Sequence, residues 1–342
     1  NTKQSAEALF PMLKKNITPK DILTREAFEN AISVVMAVGG STNALIHMTA
    51  IAGRRGIKVD LEAFDRMGRE TPVLVDLKPS GSNYMEDLYK AGGLAPILRE
   101  LQPLLHLDCK TITGRTLGEE VGQAPLWEQD IVKSIRAPLK SEGGLAVLTG
   151  NLAPETAIIK QSAATPELLV HEGRAVVFES LEDLADRIDH PDLEVEKDDI
   201  LILRNAGPRG APGMPESGYI PIPKKLAARG VKDMVRMSDA RMSGTAFGTI
   251  VLHICPEAAV GGTLSLVQNG DRIRLDVPSR RLDLLVDSPL LAARRSKWNP
   301  PTLPAGSERG YLRLHLDHVE QAHQGCDFDV LKRSFSGVTT PD

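Results

Sequence analysis

Three short stretches of this 342-residue chain bring together side chains that can move protons, hold ions or bind anions. The stretch densest in glycine and proline is Arg204-Asn-Ala-Gly-Pro-Arg-Gly-Ala-Pro-Gly-Met-Pro-Glu216. Its glycines let backbone approach a ligand closely, and it ends on one carboxylate, Glu216. The spacing is neither a dinucleotide fingerprint nor a Walker loop, so the competing reading is an ordinary surface connection. The second stretch is Ser238-Asp-Ala-Arg-Met-Ser-Gly-Thr-Ala-Phe-Gly248, where Ser243 and Thr245 flank Gly244. Hydroxyls and N–H groups there either converge on an oxyanion or cap a plain turn. Arg241 stands two residues before Ser243, so this is not a hydrolase elbow. The third, Gly39-Gly-Ser-Thr-Asn43, opens a helix whose unpaired N–H groups suit a carboxylate, although a simple N-cap explains the same residues. His47, one turn further on, and His253, in an apolar strand, read as packed or hydrogen-bonded residues rather than bases or ligands.

These stretches need elements to position them. From about Ser5 to Leu105 the pattern is mostly helical: Thr24 caps a helix bearing Ile32, Val35 and Met36, and a second runs from Ser41 or Thr42 to Gly53 or Gly56. Asp60–Arg69 and Met85–Ala91 read as further helices. Beyond Ser141-Glu-Gly-Gly the chain becomes β-rich. Strands are expected at Leu145–Leu148, Ala175–Phe178, Ile200–Leu203, Thr249–Ile254, Leu264–Val267, Arg272–Leu275 and Leu282–Val286. Glu172-Gly173 reads as a turn and Asn269-Gly270 as a hairpin turn. Helix returns at Leu290–Lys297 and Leu312–Gln324, across a proline-rich linker.

Composition narrows the function. Lys plus Arg number 41 against 45 Asp plus Glu, a net charge of −4, and no basic block is long enough to track a phosphate backbone, so nucleic acid is not an expected partner. The apolar runs fall far short of the roughly 20 residues of a membrane helix, so no membrane partner is expected either. Cys109, Cys255 and Cys326 lie too far apart for a CxxC-like pair, and an odd, sparse set suits a reducing compartment, hence a cytoplasmic location. Free thiols of this kind usually behave as small hydrophobes.

Five ordered motifs then carry a resemblance. Ala37-Val-Gly-Gly-Ser-Thr-Asn-Ala44, Pro79-Ser-Gly with Tyr84-Met-Glu-Asp-Leu-Tyr89, Gly150-Asn-Leu-Ala-Pro-Glu155, Gly207–Glu216 and Ser238–Gly244 follow the order of one family across residues 5 to 330. The chain resembles the dihydroxy-acid and phosphogluconate dehydratases. Arg204-Asn-Ala-Gly-Pro208, Asp239-Ala-Arg-Met-Ser-Gly-Thr245 and Gly325-Cys-Asp-Phe-Asp329 look like its sugar-acid branch, which acts on pentonates such as L-arabinonate or D-xylonate, rather than its branched-chain amino-acid branch.

The resemblance implies a lyase that removes water from a 2,3-dihydroxy acid to give a 2-keto-3-deoxy acid, with an iron–sulfur cluster and Mg2+ as Lewis acids. It implies Ser243 as the base, Glu216 as a magnesium ligand and Thr245 as a contact to substrate hydroxyls. It also implies an α/β fold: a helix-rich back part of an α/β N-terminal domain in residues 1–138, a swivelling β-barrel domain in 141–290, and a linker and helix in 291–342. The working form would be a homo-oligomer, a dimer or tetramer. Family members are longer, and their cluster cysteines and remaining magnesium ligands precede the position matching Asn1. The expectation is therefore a fragment that keeps the base and one metal ligand but not the cluster ligands, inactive alone, with apolar helix faces in 1–138 that need covering. A remnant that binds a partner or a sugar acid without turnover is the rival reading, as is the branched-chain activity.

Overall fold

The computed structural model describes residues 2–332 apart from 60, 126, 127, 244–246 and 304. It divides into two compact units: the described residues of Asn1–Gly40, Ile51–Gly144 and Lys332–Asp342, and those of Ser41–Ala50 and Leu145–Leu331.

The first unit is helical. Its central helix, Arg25–Val38, starts where the Thr24 side chain accepts a hydrogen bond from Ala27 N and ends at Gly39, whose φ of 61° is the left-handed C-cap conformation. Ala37 of this helix packs with Leu74, Val75, Leu77, Leu88, Ile97, Leu101 and Val132 into a core. Only isolated bridges, such as Val73 to Lys140 and Val75 to Val132, stand in for a sheet in this unit among the described residues. Leu9, Phe10 and Leu13 on one helix and Tyr84, Met85 and Tyr89 around another are exposed.

The second unit is built on one sheet. Among the described residues eight strands run in the order β1 (Ala146–Leu148), β2 (Thr156–Ile159), β6 (Ile250–Cys255), β5 (Arg236–Ser238), β4 (Ile200–Leu203), β3 (Val170–Phe178), β7 (Arg272–Asp276) and β8 (Arg281–Leu284). β3, β4, β5 and β6 pair in parallel, whereas the β1–β2, β2–β6, β3–β7 and β7–β8 pairs are antiparallel. The sequence of β4, Ile-Leu-Ile-Leu, is apolar throughout because both faces are covered. Ile200 and Ile202 point into the core with Val177, Met237 and Val251, while Leu201 and Leu203 pack with Leu184 and Ile188 from the crossover helix Leu181–Arg187 and its end. β7, by contrast, alternates exposed and buried residues, as a strand with one wet face does.

The two edges meet, which makes the sheet barrel-like. Thr149 bridges Arg281, with Thr149 N donating to Arg280 O and Leu282 N donating to Thr149 O. The motif Gly150-Asn151 performs this closure. A Cβ at Gly150 would lie 2.0 Å from Leu282 O, and the Asn151 side chain both accepts from Leu284 N (2.6 Å) and donates to Leu284 O (2.8 Å). Closure removes the unpaired edges that would otherwise recruit other strands.

Several expectations need correction. Leu264–Val267 is not a strand: Thr263–Leu266 is a 3-10 turn, its leucines buried as a plug against the barrel core. Asn269-Gly270 therefore closes no hairpin, and instead Asn269 Oδ1 accepts from Val177 N and Gly270 N donates to Ala175 O, docking the turn on β3. Glu172-Gly173 is no turn but lies inside β3, where a Cβ on Gly173 would come 2.3 Å from Asp198 O. The final helix stops at His318, leaving Ala322–Gln324 as a separate 3-10 turn.

Candidate functional site

The Arg204–Glu216 loop leaves the end of β4 and is anchored from beneath by two buried carboxylates. Asp239, just after β5, accepts from the backbone N–H groups of Asn205 (3.3 Å) and Ala206 (3.0 Å), and from Ala258 (2.8 Å). Glu257, just after β6, accepts from Arg209 (3.0 Å) and Gly210 (2.9 Å), and from Gln321 Nε2 (2.7 Å). The loop wraps Glu257 so tightly that a Cβ on Gly207 would sit 2.6 Å from its Oε2. Burial, then the charge of Glu257, raises the Asp239 carboxyl to about 7, and burial raises that of Glu257 as well. His315 Nε2 lies 3.2 Å from Gly213 N and 3.0 Å from Pro208 O, and one ring nitrogen can serve only one of these at a time.

Beyond the anchors the loop turns back on the second stretch. Arg241 Nε donates to Met214 O, and Gly218 N donates to Arg241 O at 2.8 Å, so Glu216 stands between two backbone ties. Asn43, the first residue of the helix Asn43–Arg54, donates from Nδ2 to Glu216 Oε1 and to Met242 O (3.3 Å). One amide thus links the expected metal ligand to the residue preceding the expected base. Ser243 itself is exposed, as is the Glu216 side chain, while Thr245 lies outside the described residues. The ends of the 238–248 stretch are fixed by a buried ion pair: Arg236 donates to Asp233 at 2.8 Å and to Phe247 O, and Asp233 accepts from Thr249 N and Oγ1.

The histidines behave differently from each other. His47 is exposed rather than packed. His253 is buried, its φ of 55° lies in the left-handed region, and its Nε2 has no hydrogen-bond partner among the described residues. Burial, then the nearby charges of Arg241 and His47, pushes its pKa down to about 3, so the ring is neutral. Met214 shares the left-handed conformation, with φ 44°. Each such non-glycine residue represents strain of about 1–3 kcal/mol, and Met214 lies two residues before Glu216.

The donor sets decide what could be held here. Glu216 offers hard carboxylate oxygen of the kind Mg2+ takes, but no cluster of three or more His, Cys, Asp or Glu is poised around an ion among the described residues. The cysteines do not fit an iron–sulfur cluster. Cys109 lies in the first unit; Cys255 and Cys326 share an apolar cluster with Ile46, Met214 and Ala322, where burial pushes the Cys255 thiol up to about 12 and that of Cys326 up as well. Cluster ligands are thiolates, and these surroundings keep the thiols protonated. Sequence reading missed Asn43 as a side-chain tether because its place at a helix start reads as capping. It also missed Asp233, Asp239 and Glu257, whose signal was a lone carboxylate flanking an apolar strand.

Residues 130–326 match the family described as dihydroxy-acid/6-phosphogluconate dehydratase C-terminal, and residues 1–120 the corresponding N-terminal family. The chain is 49% identical over 327 residues to the L-arabinonate dehydratase of Rhizobium leguminosarum bv. trifolii (strain WSM2304), covering 95% of this chain and 56% of that protein. It is 47% identical to the 6-deoxy-6-sulfo-D-gluconate dehydratase of Pseudomonas putida over 99% of this chain and 58% of that one. Identity to the dihydroxy-acid dehydratase of Methanothrix thermoacetophila (strain DSM 6194 / JCM 14653 / NBRC 101360 / PT) is 41%, over 87% and 55%. The chain spans somewhat more than half the length of these relatives. With both family regions matched in order over most of its length, this chain belongs to the dihydroxy-acid/6-phosphogluconate dehydratase family.

Proposed function

We propose that this chain is part of a cytoplasmic, homo-oligomeric hydro-lyase that dehydrates a sugar acid, a 2,3-dihydroxy carboxylate, to a 2-keto-3-deoxy acid. The observation that carries this reading is the Asn43 amide, which ties the Glu216 carboxylate to the backbone one residue before Ser243. Ser243 takes the C2 proton, the 3-hydroxyl departs as water, and the resulting enol becomes the 2-keto group. Thr245 orients the substrate hydroxyls, and Glu216 would hold Mg2+. That ion would supply the positive charge that an ionised serine oxygen and a substrate carboxylate both need. The departing hydroxyl needs an acid, for which the resemblance implies the iron–sulfur cluster; Cys109, Cys255 and Cys326 are not offered as its ligands.

A sugar acid is favoured over a branched-chain dihydroxy acid because the sugar-acid dehydratases stand at 47–49% identity and the dihydroxy-acid dehydratases at 37–41%. The test supplies the active form of the enzyme with L-arabinonate, D-xylonate or a branched 2,3-dihydroxy acid in the presence of Mg2+, and follows loss of water by mass spectrometry. The pentonates are expected to turn over and Ser243→Ala to abolish turnover. Preference for the branched acid overturns the substrate class, and near-normal turnover by Ser243→Ala removes that residue from the mechanism.

A further inference from the structure

We infer that Asn43 is a positioning residue for Glu216: it tethers one carboxylate oxygen and leaves the other aimed for a divalent cation. The inference rests on the reading of Glu216 as a cation ligand. Three observations carry it. First, the amide has one orientation, because Nδ2 faces two acceptors, Glu216 Oε1 and Met242 O, and a flipped amide would set oxygen against oxygen twice. Second, that orientation strands Asn43 Oδ1, which is buried without a hydrogen-bond partner among the described residues. An apolar side chain of the same size would avoid the stranded acceptor, so the amide serves its donor rather than general packing. Third, Asn43 is not occupied in capping its own helix: Ser41 Oγ accepts from Asn43 N at 3.2 Å, leaving the Asn43 side chain to reach the Glu216 segment.

The consequence is preorganisation. Backbone ties at Met214 and Gly218 fix the chain on either side of Glu216, but its exposed side chain still has free rotors. A hydrogen bond to one oxygen removes that freedom before an ion arrives, as partners behind metal ligands do.

The test uses the active form of the enzyme, with the ligands that the resemblance places outside this chain, and two readouts. In the metal-free protein, the side-chain carboxyl 13C resonance of Glu216, identified by its loss in Glu216→Gln, is compared between wild type and Asn43→Leu. A shifted resonance with an unchanged or raised melting temperature is expected, and an unshifted one overturns the proposal. Should Asn43→Leu fail to fold, Asn43→Ala removes the donor without adding a charge and gives the same comparison. Mn2+ binding is then followed by electron paramagnetic resonance. Asn43→Leu is expected to weaken it about ten- to a hundredfold, with the double variant no weaker than Glu216→Gln alone. Additive losses, or Mn2+ affinity lost in Glu216→Gln but kept in Asn43→Leu, overturn the positioning role while the ligand reading stands. Equal Mn2+ binding by wild type and Glu216→Gln, or none by wild type, overturns the ligand reading instead, and with it the aim assigned to the tether.

Discussion

Glu257 and Asp239 grip successive turns of one loop, and the charge of Glu257 acts on the proton of Asp239. Asp239 holds Asn205 and Ala206, and Glu257 holds Arg209 and Gly210. Neither carboxylate reaches solvent, so the rigidity of the glycine-rich loop is obtained by burying two acids of like charge. Their backbone hydrogen bonds offset that cost, because each N–H they satisfy would otherwise be stranded.

Replacing Glu257 with Gln should therefore do two things. It removes the charge that helps raise Asp239 to about 7, so the Asp239 carboxyl resonance should titrate at lower pH. It also sets an amide NH2 against N–H donors, destabilising the fold by about 1–3 kcal/mol in denaturant titration. The sign of the pH effect follows from Asp239: between its unfolded value near ~4 and about 7, the folded state keeps a proton that the unfolded state has released. This group makes stability fall as pH rises through that window, and the fall should be shallower in Glu257→Gln. An Asp239 titration unmoved by the substitution would show that the two carboxylates do not interact.

His253 acts with the opposite sign. Its folded pKa of about 3 lies below the unfolded value of ~6.5, so between these the unfolded state holds the proton. Stability from the neutral ring is complete above the unfolded value and is lost as pH falls toward 3. His253→Leu keeps an apolar strand residue and abolishes the titration, so its stability should change less with acidification than that of the wild type. A parallel acid loss in both proteins would place the acid-sensitive group elsewhere.

Glycine substitutions should separate close approach from backbone strain. At Gly207 a new Cβ meets the buried Glu257 side chain at 2.6 Å, so Gly207→Ala should cost about 1–3 kcal/mol through forced displacement. At Gly213 nothing lies within 4 Å but φ is +88°, so Gly213→Ala should cost about 1–2 kcal/mol from the left-handed conformation alone. The two are distinguished by hydrogen exchange at Arg209 and Gly210, which should quicken in the first variant and not in the second.

How much of this was legible in the sequence depends on the range of the interaction. Local signals worked where local physics decides: the Thr24 cap and the Ile200–Leu203 strand stand where the pattern put them. They failed where a distant partner overrides them. Leu264–Val267 has a strand-like composition but plugs the barrel as a 3-10 turn, and Gly173 looks like a turn residue but makes room for Asp198 O inside β3. β2 and β5 were not among the expected strands. The candidate site was legible as three stretches, Gly39–Asn43, Arg204–Glu216 and Ser238–Gly248. Their union was not, since it depends on a side-chain contact between Asn43 and Glu216, 173 residues apart.

The buried pair Arg236–Asp233 offers the last prediction. Arg236 and Asp233 are each almost fully enclosed, and both are fully engaged: Arg236 also donates to Ile220 O and Phe247 O, and Asp233 also accepts from Thr165 Oγ1. Gly248 is required above them, since a Cβ there would lie 1.9 Å from the Arg236 guanidinium. Breaking such a pair leaves a buried charge without its counter-ion, so Asp233→Asn should destabilise the protein by about 3–5 kcal/mol. Replacing both residues together, as Asp233→Asn with Arg236→Met, should cost less than Asp233→Asn alone, because no isolated charge remains. If the pair holds the segment from Phe247 to Thr249, Asp233→Asn should also speed amide exchange at Thr249 ahead of global unfolding. Exchange there that quickens only in step with global unfolding would mean that the pair supports the fold but not that segment.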